Sequence, residues 1–387
     1  MNPKIPLSCP DITEAEIAAV TAVLRTPNLS LGPELAAFET ALAAYHSVPH
    51  AVAVSSGTAG LHLALLTLDI GEGDEVIIPS FAFIAVANAV LHVRATPIFA
   101  EIDPVTLNLD PGSVERAITP RTRAILVAHT FGVPADMQAF RAIANRNNLT
   151  IIEDACEAIG AEINSRRVGT FGDLAVFGFY PNKQITTGEG GAVLAHSDEH
   201  AARLHSLRNQ GRIPPQPVLV DDTRGRNPDA NWLDHIEFGF NYRLSDLACA
   251  LGRAQLARID EILALRRAAA ERYQALLSKF TGLTLPPLSL PNLTISWFVF
   301  VVRLPEDANR DRVQAALAAR GIATGRYFAP IHLQSAWRNV PAAVKAVVPV
   351  TESIARRTLA LPFFNRITAG QQQQVANALL EALRAEF

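Results

Sequence analysis

The chain has 387 residues, of which 49% are hydrophobic, and its 34 basic and 37 acidic residues leave a formal net charge of −3. This balance, with no long block of like charges and no apolar run near the roughly 20 residues that cross a bilayer, argues against nucleic acid or membrane as a partner. The three widely spaced cysteines argue against a disulfide framework or a metal site, so we expect a cytoplasmic protein that acts on small molecules.

Two helices are predicted before the first strand. Thr13 and Glu16 have the spacing of a capping box, in which each side chain binds the backbone N–H of the other residue. They predict a helix that stops before Pro27. The turn Ser30-Leu31-Gly32-Pro33 then opens a second helix at residues 34–45.

Short apolar runs and helical patterns alternate in the following part of the chain. The predicted strands cover residues 51–54, 75–78, 97–100, 124–128 and 150–152, and helical patterns occupy residues 61–68 and 137–145. This alternation predicts an α/β fold with a large domain, in which helices cover a mostly parallel central sheet. Sheets of this kind bind ligands at the carboxyl ends of their strands.

A loop and a long helix are predicted near the middle of the chain. Residues 212–232 contain several prolines and show no periodicity, which predicts a long loop. Ser245 then has the position of an N-cap for a helix from Asp246 to about residue 280. This helix is expected to link two domains.

The remainder of the chain predicts a smaller α+β unit. Its predicted elements are strands at residues 296–304 and 322–328, a helix at residues 309–320, and a last helix that begins with a capping box of Thr368 and Gln371. We therefore expect a large domain at residues 1–245 and a small C-terminal domain at residues 246–387.

The turn after the first predicted strand could bind a phosphate group. Ser55-Ser56-Gly57-Thr58-Ala59-Gly60 opens the helix around Leu61. Unpaired backbone N–H groups at a helix N-terminus lie at the positive end of the helix dipole, which suits an anion. Serine and threonine are also common helix caps, so this turn alone favours an ordinary cap.

An acidic residue follows the predicted strand at residues 150–152. Asp154 lies just past its carboxyl end, where it could pair with a cationic ring nitrogen or a metal ion. It could equally cap the next helix, and on this segment alone the cap is favoured.

Lys183 is the candidate nucleophile. It follows an apolar strand that begins at Leu174 and precedes the tight, glycine-rich run Thr187-Gly188-Glu189-Gly190-Gly191. Most lysines are solvated at the surface. A lysine that is partly withdrawn from water loses its proton more readily and forms Schiff bases with carbonyl compounds.

Together these three features favour one cofactor over three separate structural roles. A phosphate-binding turn, an acid at a strand end and a lysine about 30 residues later are what pyridoxal 5′-phosphate (PLP) needs, because that cofactor is held by its phosphate, its ring nitrogen and a lysine.

Five motifs occur in order along the chain. They are Ser56-Gly57-Thr58, Pro79-Ser80-Phe81-Ala82-Phe83, Glu153-Asp154-Ala155, residues 183–191, and Asn241-Tyr242-Arg243-Leu244-Ser245-Asp246. In this combination they resemble the DegT/StrS nucleotide-sugar aminotransferases, which are PLP-dependent enzymes of fold type I. The resemblance runs from Ile5-Pro6-Leu7 to Pro330-Ile331-His332-Leu333-Gln334 and covers nearly the whole chain.

The resemblance implies a role for each matched residue. Lys183 would be the catalytic residue, which holds PLP through its amine and moves the proton between substrate and cofactor. Asp154 would keep the ring nitrogen of PLP protonated, and Phe83 would stack on the ring. Gly57 and Thr58 would bind the phosphate.

Three further residues are implied by the resemblance alone. Asn241 would reach the phosphate from a neighbouring subunit, which implies a homodimer with shared active sites. Tyr327 and His332 lie where the family lines the sugar pocket. Without the resemblance, Asn241 would be interpreted as a turn residue and a lone histidine as structural.

Two positions depart from the family pattern. Gly178 stands where the family often has a serine that contacts the phosphate, so one hydrogen bond of order 1 kcal/mol would be missing, or replaced by water or Asn182. Glu157 stands where the family commonly has a glutamine near the phenolic oxygen of PLP. An ionised carboxylate accepts hydrogen bonds but does not donate them, which changes what Glu157 can do there.

The implied activity is transfer of an amino group, with glutamate as the expected donor, to a keto group of a nucleotide-linked deoxysugar, for a surface polysaccharide or an antibiotic. A PLP-dependent sugar dehydratase is one alternative, but such relatives carry histidine in place of Lys183. A non-catalytic regulatory relative is disfavoured by the intact lysine, aspartate and phosphate turn. A nicotinamide dehydrogenase is disfavoured because the first strand-turn-helix lacks a Gly-x-Gly-x-x-Gly fingerprint.

Overall fold

The computed structural model of the protein describes residues 4–212 and 235–386. Within these residues the β-strands are β1 (His50–Val54), β2 (Glu75–Pro79), β3 (Thr96–Ala100), β4 (Thr122–Ala128), β5 (Thr150–Asp154), β6 (Glu162–Ile163), β7 (Arg166–Arg167), β8 (Leu174–Gly178), β9 (Gly191–Ala195), β10 (Leu293–Thr294), β11 (Phe300–Arg303) and β12 (Thr358–Leu361).

The α-helices of the same residues are α1 (Glu14–Leu24), α2 (Pro33–His46), α3 (Gly57–Thr67), α4 (Ala85–His92), α5 (Pro111–Ala117), α6 (Met137–Asn147), α7 (Asp198–Arg208), α8 (Asp246–Ala257), α9 (Ile259–Leu277), α10 (Arg310–Ala319), α11 (Pro341–Val344), α12 (Pro349–Arg357) and α13 (Ala369–Arg384). In the described ranges, each helix is too short or too polar to cross a membrane.

Seven strands form one large sheet in the order β1-β9-β8-β5-β4-β2-β3. Neighbouring strands from β8 to β3 are parallel, whereas β9 is antiparallel to both β1 and β8. The central strands are apolar and fully buried because helices cover both faces of the sheet. The predicted α/β fold is confirmed, and each strand predicted before residue 153 is present.

The predicted helix starts are also confirmed. Thr13 and Glu16 form the capping box of α1, and Thr368 and Gln371 form that of α13. Ser245 caps α8, where its hydroxyl accepts a hydrogen bond from the N–H of Ala248 at 3.3 Å. These local signals are reliable because the side chain satisfies backbone N–H groups that have no partner inside the helix.

The C-terminal part has its own apolar core. β11 and β12 form an antiparallel pair, and α9, α10 and α13 pack around it through buried residues such as Tyr273, Phe300 and Leu379. A smaller α+β unit is therefore present, while the domain boundary after residue 245 stays a prediction.

The predicted long helix from Asp246 to about residue 280 is wrong in one respect, because it is two helices. The chain breaks at Arg258, whose own N–H closes α8 by bonding to the carbonyls of Gln255 and Leu256. Its guanidinium bonds to Glu16 at 2.7 Å, so the break lets this side chain hold α1.

Two predicted strands also differ from the structure. Residues 322–328 make only isolated bridges, because Ile322 pairs with Ile5 near the N-terminus while Gly325 pairs with Ala360 in β12. In the predicted strand at residues 296–304, only Phe300–Arg303 is a strand. Of the predicted loop at residues 212–232, all but Arg212 lies outside the described residues.

Candidate active site

A cavity of about 480 Å³ opens at the carboxyl ends of the parallel strands. Residues from β4, β5 and β8 and from the turns after β1 and β2 line it, as expected for a sheet of this kind. The residues predicted from the sequence that line it are Gly57, Thr58, Phe83, Asp154, Glu157, Lys183 and Tyr327.

Two predicted site residues do not line this cavity. Asn241 is exposed, and its backbone pairs with that of Asn209. His332 is buried, with its Nδ1 atom 2.7 Å from the hydroxyl of Ser80 and its Nε2 atom 3.4 Å from Glu352. Both nitrogens of His332 therefore have partners within the protein.

The turn after β1 presents two backbone donors to the cavity. Ser56 is the N-cap of α3, and its hydroxyl accepts a hydrogen bond from the N–H of Ala59 at 3.0 Å. The N–H groups of Gly57 and Thr58 have no acceptor among the described residues. They lie at the positive end of α3, so this turn can bind an anion such as a phosphate.

Lys183 is withdrawn from solvent, with only 15% of its side chain exposed. Its Nζ atom lies 4.0 Å from the centroid of the Phe298 ring and 3.4 Å from Oε1 of Glu157. The aromatic face and the carboxyl group attract the ammonium and fix the direction of the side chain.

Glu157 contacts both Lys183 and the backbone. Its Oε2 atom accepts a hydrogen bond from the N–H of Phe131 at 2.9 Å. Burial raises the pKa of Glu157, and the nearby charge of Asp154 acts in the same direction, against the opposing effects of Lys183 and Phe131. An un-ionised Glu157 could donate a hydrogen bond, as a glutamine does.

Asp154 closes the carboxyl end of β5. Its Oδ1 atom accepts a hydrogen bond from the N–H of Cys156 at 3.1 Å, so the carboxylate is held in a fixed orientation at the cavity wall. It can therefore cap the turn after β5 and still present its second oxygen to a ligand.

The structure gives a physical reason for a glycine at position 178. A Cβ atom added there would lie 3.2 Å from the Sγ atom of Cys156, and one added at Gly57 would lie 2.8 Å from the same sulfur. The thiol of Cys156 therefore fills the space between the two glycines, and a serine at position 178 would need this thiol to move.

His129 also lines the cavity and was not predicted from the sequence as a site residue. Its Nδ1 atom accepts a hydrogen bond from the N–H of Ala135 at 3.0 Å, so Nε2 carries the proton and donates it to Glu153 at 3.0 Å. Its position directly after β4, one residue beyond the register partner of Asp154, was the available signal. Because both nitrogens are occupied, His129 offers the cavity only its ring.

Phe298 and Phe328 were also missed as cavity-lining residues, whereas Asn182, named above as a possible replacement for the missing serine contact, lines the cavity. The Oδ1 atom of Asn182 is buried without a hydrogen-bond partner among the described residues, so a residue of the cavity wall keeps an unpaired acceptor. Burial raises the pKa of Tyr327, against a hydrogen bond from Asn182 that lowers it. Phe83 is 61% exposed, which leaves an apolar ring open at the cavity.

Comparisons with known proteins agree with this geometry. The family model of the DegT/DnrJ/EryC1/StrS aminotransferase family matches residues 10–380. The chain is 36% identical over 385 residues to the GDP-perosamine synthase of Caulobacter vibrioides, covering 98% of this chain and 99% of that protein.

Two solved structures are also similar. The aminotransferase TlmJ from Streptoalloteichus hindustanus is 32% identical, with a TM-score of 0.89 and coverage of 98% of this chain and 99% of that chain. DesV from S. venezuelae is 38% identical, with a TM-score of 0.85 and coverage of 98% of both chains. The predicted resemblance and the predicted aminotransferase class are confirmed. The chain belongs to the DegT/DnrJ/EryC1/StrS aminotransferase family.

Proposed function

We propose that the protein uses PLP to move an amino group from glutamate to a keto group of a nucleotide-linked deoxysugar. The observation that carries the proposal is the placement of Lys183, Asp154 and the free N–H groups of Gly57 and Thr58 around one cavity. The GDP-perosamine synthase relative supports the substrate class, since its name describes the synthesis of a nucleotide-linked amino sugar.

The residues present fit PLP. Gly57 and Thr58 would hold the phosphate through their unpaired N–H groups, and Asp154 would accept a hydrogen bond from the ring nitrogen. Phe83 offers the ring an apolar face, and Lys183 offers its amine to the aldehyde carbon. When bound, PLP supplies an electron sink that stabilises negative charge at the carbon that loses its proton.

The protein's own groups then account for the proton transfer. Lys183 is the group placed to carry a proton at its Nζ atom, because Phe298 and Glu157 fix the direction of its side chain. Glu157 can hold a proton 3.4 Å from that atom. His129 holds its proton toward Glu153, away from the cavity, so it takes no part in the transfer.

We propose a homodimer in which Asn241 of one subunit reaches the phosphate site of the other. The exposure of Asn241, away from the cavity of its own chain, supports this arrangement. Sedimentation velocity should give a dimer, and Asn241→Ala should weaken PLP binding without loss of folding. The free thiols of Cys9, Cys156 and Cys249 suit a reducing cytoplasm, which we propose as its compartment.

The test is to incubate purified protein with PLP, glutamate and candidate nucleotide-linked keto sugars, and to identify the product by mass spectrometry. Lys183→Ala should lose both turnover and the absorbance band of lysine-bound cofactor, whereas the exposed control Lys345→Ala should keep both. An unchanged spectrum in Lys183→Ala would contradict the proposal. A deoxygenated product without nitrogen would favour the dehydratase alternative.

A further inference from the structure

Arg266 on α9 is a buried cation whose partners are backbone carbonyls. Only 2% of the residue is exposed. Its Nη1 atom donates to the carbonyls of Trp297 and Phe298 at 3.2 and 3.0 Å, and its Nη2 atom donates to the carbonyl of Lys183 at 3.0 Å. Among the described residues, no carboxylate forms an ion pair with this guanidinium.

The burial of this cation lowers the stability of the folded protein. Burial lowers the pKa of Arg266 to about 10, with only the more distant charge of Asp11 acting in the opposite direction. A buried charge without an ionic partner costs several kcal/mol, and an apolar side chain of similar size would avoid that cost. The bonds to the three carbonyls therefore need a reason beyond stability.

The three carbonyls belong to two segments of the chain: one carries Lys183, and the other carries the Phe298 ring that contacts the lysine side chain. Lys183 lies between β8 and β9, whereas Phe298 lies just before β11, and the ring of Phe298 is 4.0 Å from the Nζ atom of Lys183. Arg266 thus joins the backbones of the two residues whose side chains meet in the cavity. The result is a closed ring of contacts through one guanidinium.

A second buried side chain reinforces the same junction. The amide nitrogen of Gln184 donates to the carbonyl of Glu157 at 2.7 Å and to the carbonyl and hydroxyl of Ser296 at 3.1 and 2.9 Å. The hydroxyl of Ser296 in turn donates to the carbonyl of Ile159 at 2.6 Å. The segment at residues 296–298 is therefore bonded to both the lysine turn and the turn that carries Glu157.

We propose that Arg266 is a positioning residue for Lys183, which sets the direction of the Nζ atom by fixing the Lys183 backbone relative to the Phe298 ring. The proposal rests on the proposed role of Lys183 as the PLP anchor. Reacting groups must be held close to the productive geometry, and a displacement of about 1 Å can cost on the order of 100-fold in rate.

Two variants test the role of the guanidinium. Arg266→Met keeps the side-chain length and removes all three bonds, and Arg266→Lys keeps the charge but cannot reproduce the planar fork of donors. Arg272→Met is the matched control for stability, since Arg272 lies on the same helix and bonds to Gln372 and the carbonyl of Ile367. Arg267→Met is the surface control, since Arg267 pairs with Glu271 on the same helix and its side chain is 67% exposed.

The measurements separate positioning from stability. For each variant we would measure the thermal midpoint, the dissociation constant of PLP, the rate at which added PLP becomes reducible by borohydride onto Lys183, and the rate of the glutamate half-reaction. Arg272→Met should lower the thermal midpoint, whereas Arg266→Met should change it less, because removal of the buried charge offsets the loss of the three bonds. Only the Arg266 variants should slow the borohydride-trapped reaction and the half-reaction, by about 10- to 100-fold, with Arg266→Lys unable to restore them.

The proposal is wrong if Arg266→Met matches Arg272→Met in the rate of borohydride-trapped PLP attachment and in the rate of the glutamate half-reaction. If Arg266→Met does not fold, the rates of Arg266→Lys and Phe298→Leu test the proposal instead. Phe298→Leu removes the aromatic ring but keeps the carbonyl that bonds to Arg266. Wild-type rates in both variants would overturn the proposal. Failure of the wild-type protein itself to bind PLP at Lys183 would instead refute the proposed function, so the two failures can be told apart.

Discussion

The thiol of Cys156 occupies the space next to Gly178, 3.2 Å from where a Cβ atom would lie. Gly178→Ser should therefore destabilise the protein by about 1–3 kcal/mol through overpacking. Cys156→Ala removes the sulfur but leaves the Cβ atom of residue 156 at 3.3 Å, so the double variant should be less strained than Gly178→Ser. PLP should bind to it several-fold more tightly if the new hydroxyl contributes about 1 kcal/mol. Thermal unfolding and PLP titration of both single variants and the double variant measure the coupling.

If the change in unfolding free energy of the double variant equals the sum of the changes in the two single variants, the two residues do not compete for this space. Neighbours that share a cavity are expected to deviate from additivity by at least about 0.5 kcal/mol. Gly178→Ala is a useful companion, since it introduces the same Cβ atom without a hydroxyl.

Replacing Asp154 with asparagine should preserve the fold and impair catalysis. The amide oxygen can still accept the hydrogen bond from the N–H of Cys156. It cannot stabilise a protonated ring nitrogen, so turnover should fall by about 100-fold or more, as for loss of a preorganised charge interaction. Asp136→Asn is the matched control, because Asp136 caps α6 and asparagine caps equally well. Equal turnover in the two variants would remove Asp154 from the mechanism.

Gly132 should tolerate no side chain. Its φ is +85°, and a Cβ atom there would lie 1.6 Å from the carbonyl oxygen of Ser296. Gly132→Ala should lower the free energy of unfolding by more than about 3 kcal/mol, measured in urea. Gly73 has a φ of +94°, and no atom of the described residues lies within 4 Å of a Cβ added there, so Gly73→Ala should cost only the conformational strain of about 1 kcal/mol.

Similar losses in both glycine variants would mean that strain, and not the contact with Ser296, limits position 132. If Gly132→Ala loses more unfolding free energy than Gly73→Ala, it should also bind PLP more weakly, because Ser296 belongs to the segment that carries Phe298.

Glu16 should give the protein a pH-dependent part of its stability. Burial alone would raise the pKa of Glu16, but hydrogen bonds from Thr13, Arg258 and Gln255 outweigh it and lower the pKa to about 2. A carboxyl whose pKa falls on folding stabilises the protein above its unfolded value of 4.5, and this contribution is lost as the pH falls toward 2.

Glu16→Gln should therefore lower the free energy of unfolding at pH 7 by on the order of 3 kcal/mol, and the difference should shrink below pH 4.5. Urea unfolding of both proteins between pH 7 and pH 3 measures it. Glu14→Gln is the control, since Glu14 is exposed in the first turn of the same helix. A difference that does not change with pH would contradict this account.

Local sequence patterns were sufficient to predict part of the candidate site and several helix starts. Asp154 and Lys183 could be placed together because parallel strands bring their carboxyl ends to one edge of the sheet. The capping boxes of α1 and α13 were predicted for the same reason of local chemistry.

Contacts between distant segments could not be predicted. Arg266 bonds to the backbone carbonyl of Lys183, which is 83 residues away, and no sequence pattern at either residue indicates this contact. The partners of His332 come from Ser80 and Glu352, so its position in a family motif did not reveal its surroundings. Strand β9 was missed because its glycine-rich start was interpreted only as a turn.

Strand β9 has a consequence for how the protein is made. Within the described part of the chain, β9 is the single strand that pairs with β1, and β9 lies between β1 and β8. A Cβ atom at Gly191, the first residue of β9, would lie 2.8 Å from the N–H nitrogen of Gly57. We therefore expect the turn after β1 to become ordered only after residues 191–195 have left the ribosome, because a nascent chain without them leaves β1 unpaired. Cofactor capture thus belongs to a late, non-local step of folding, and a nascent chain that ends before β9 should not retain PLP.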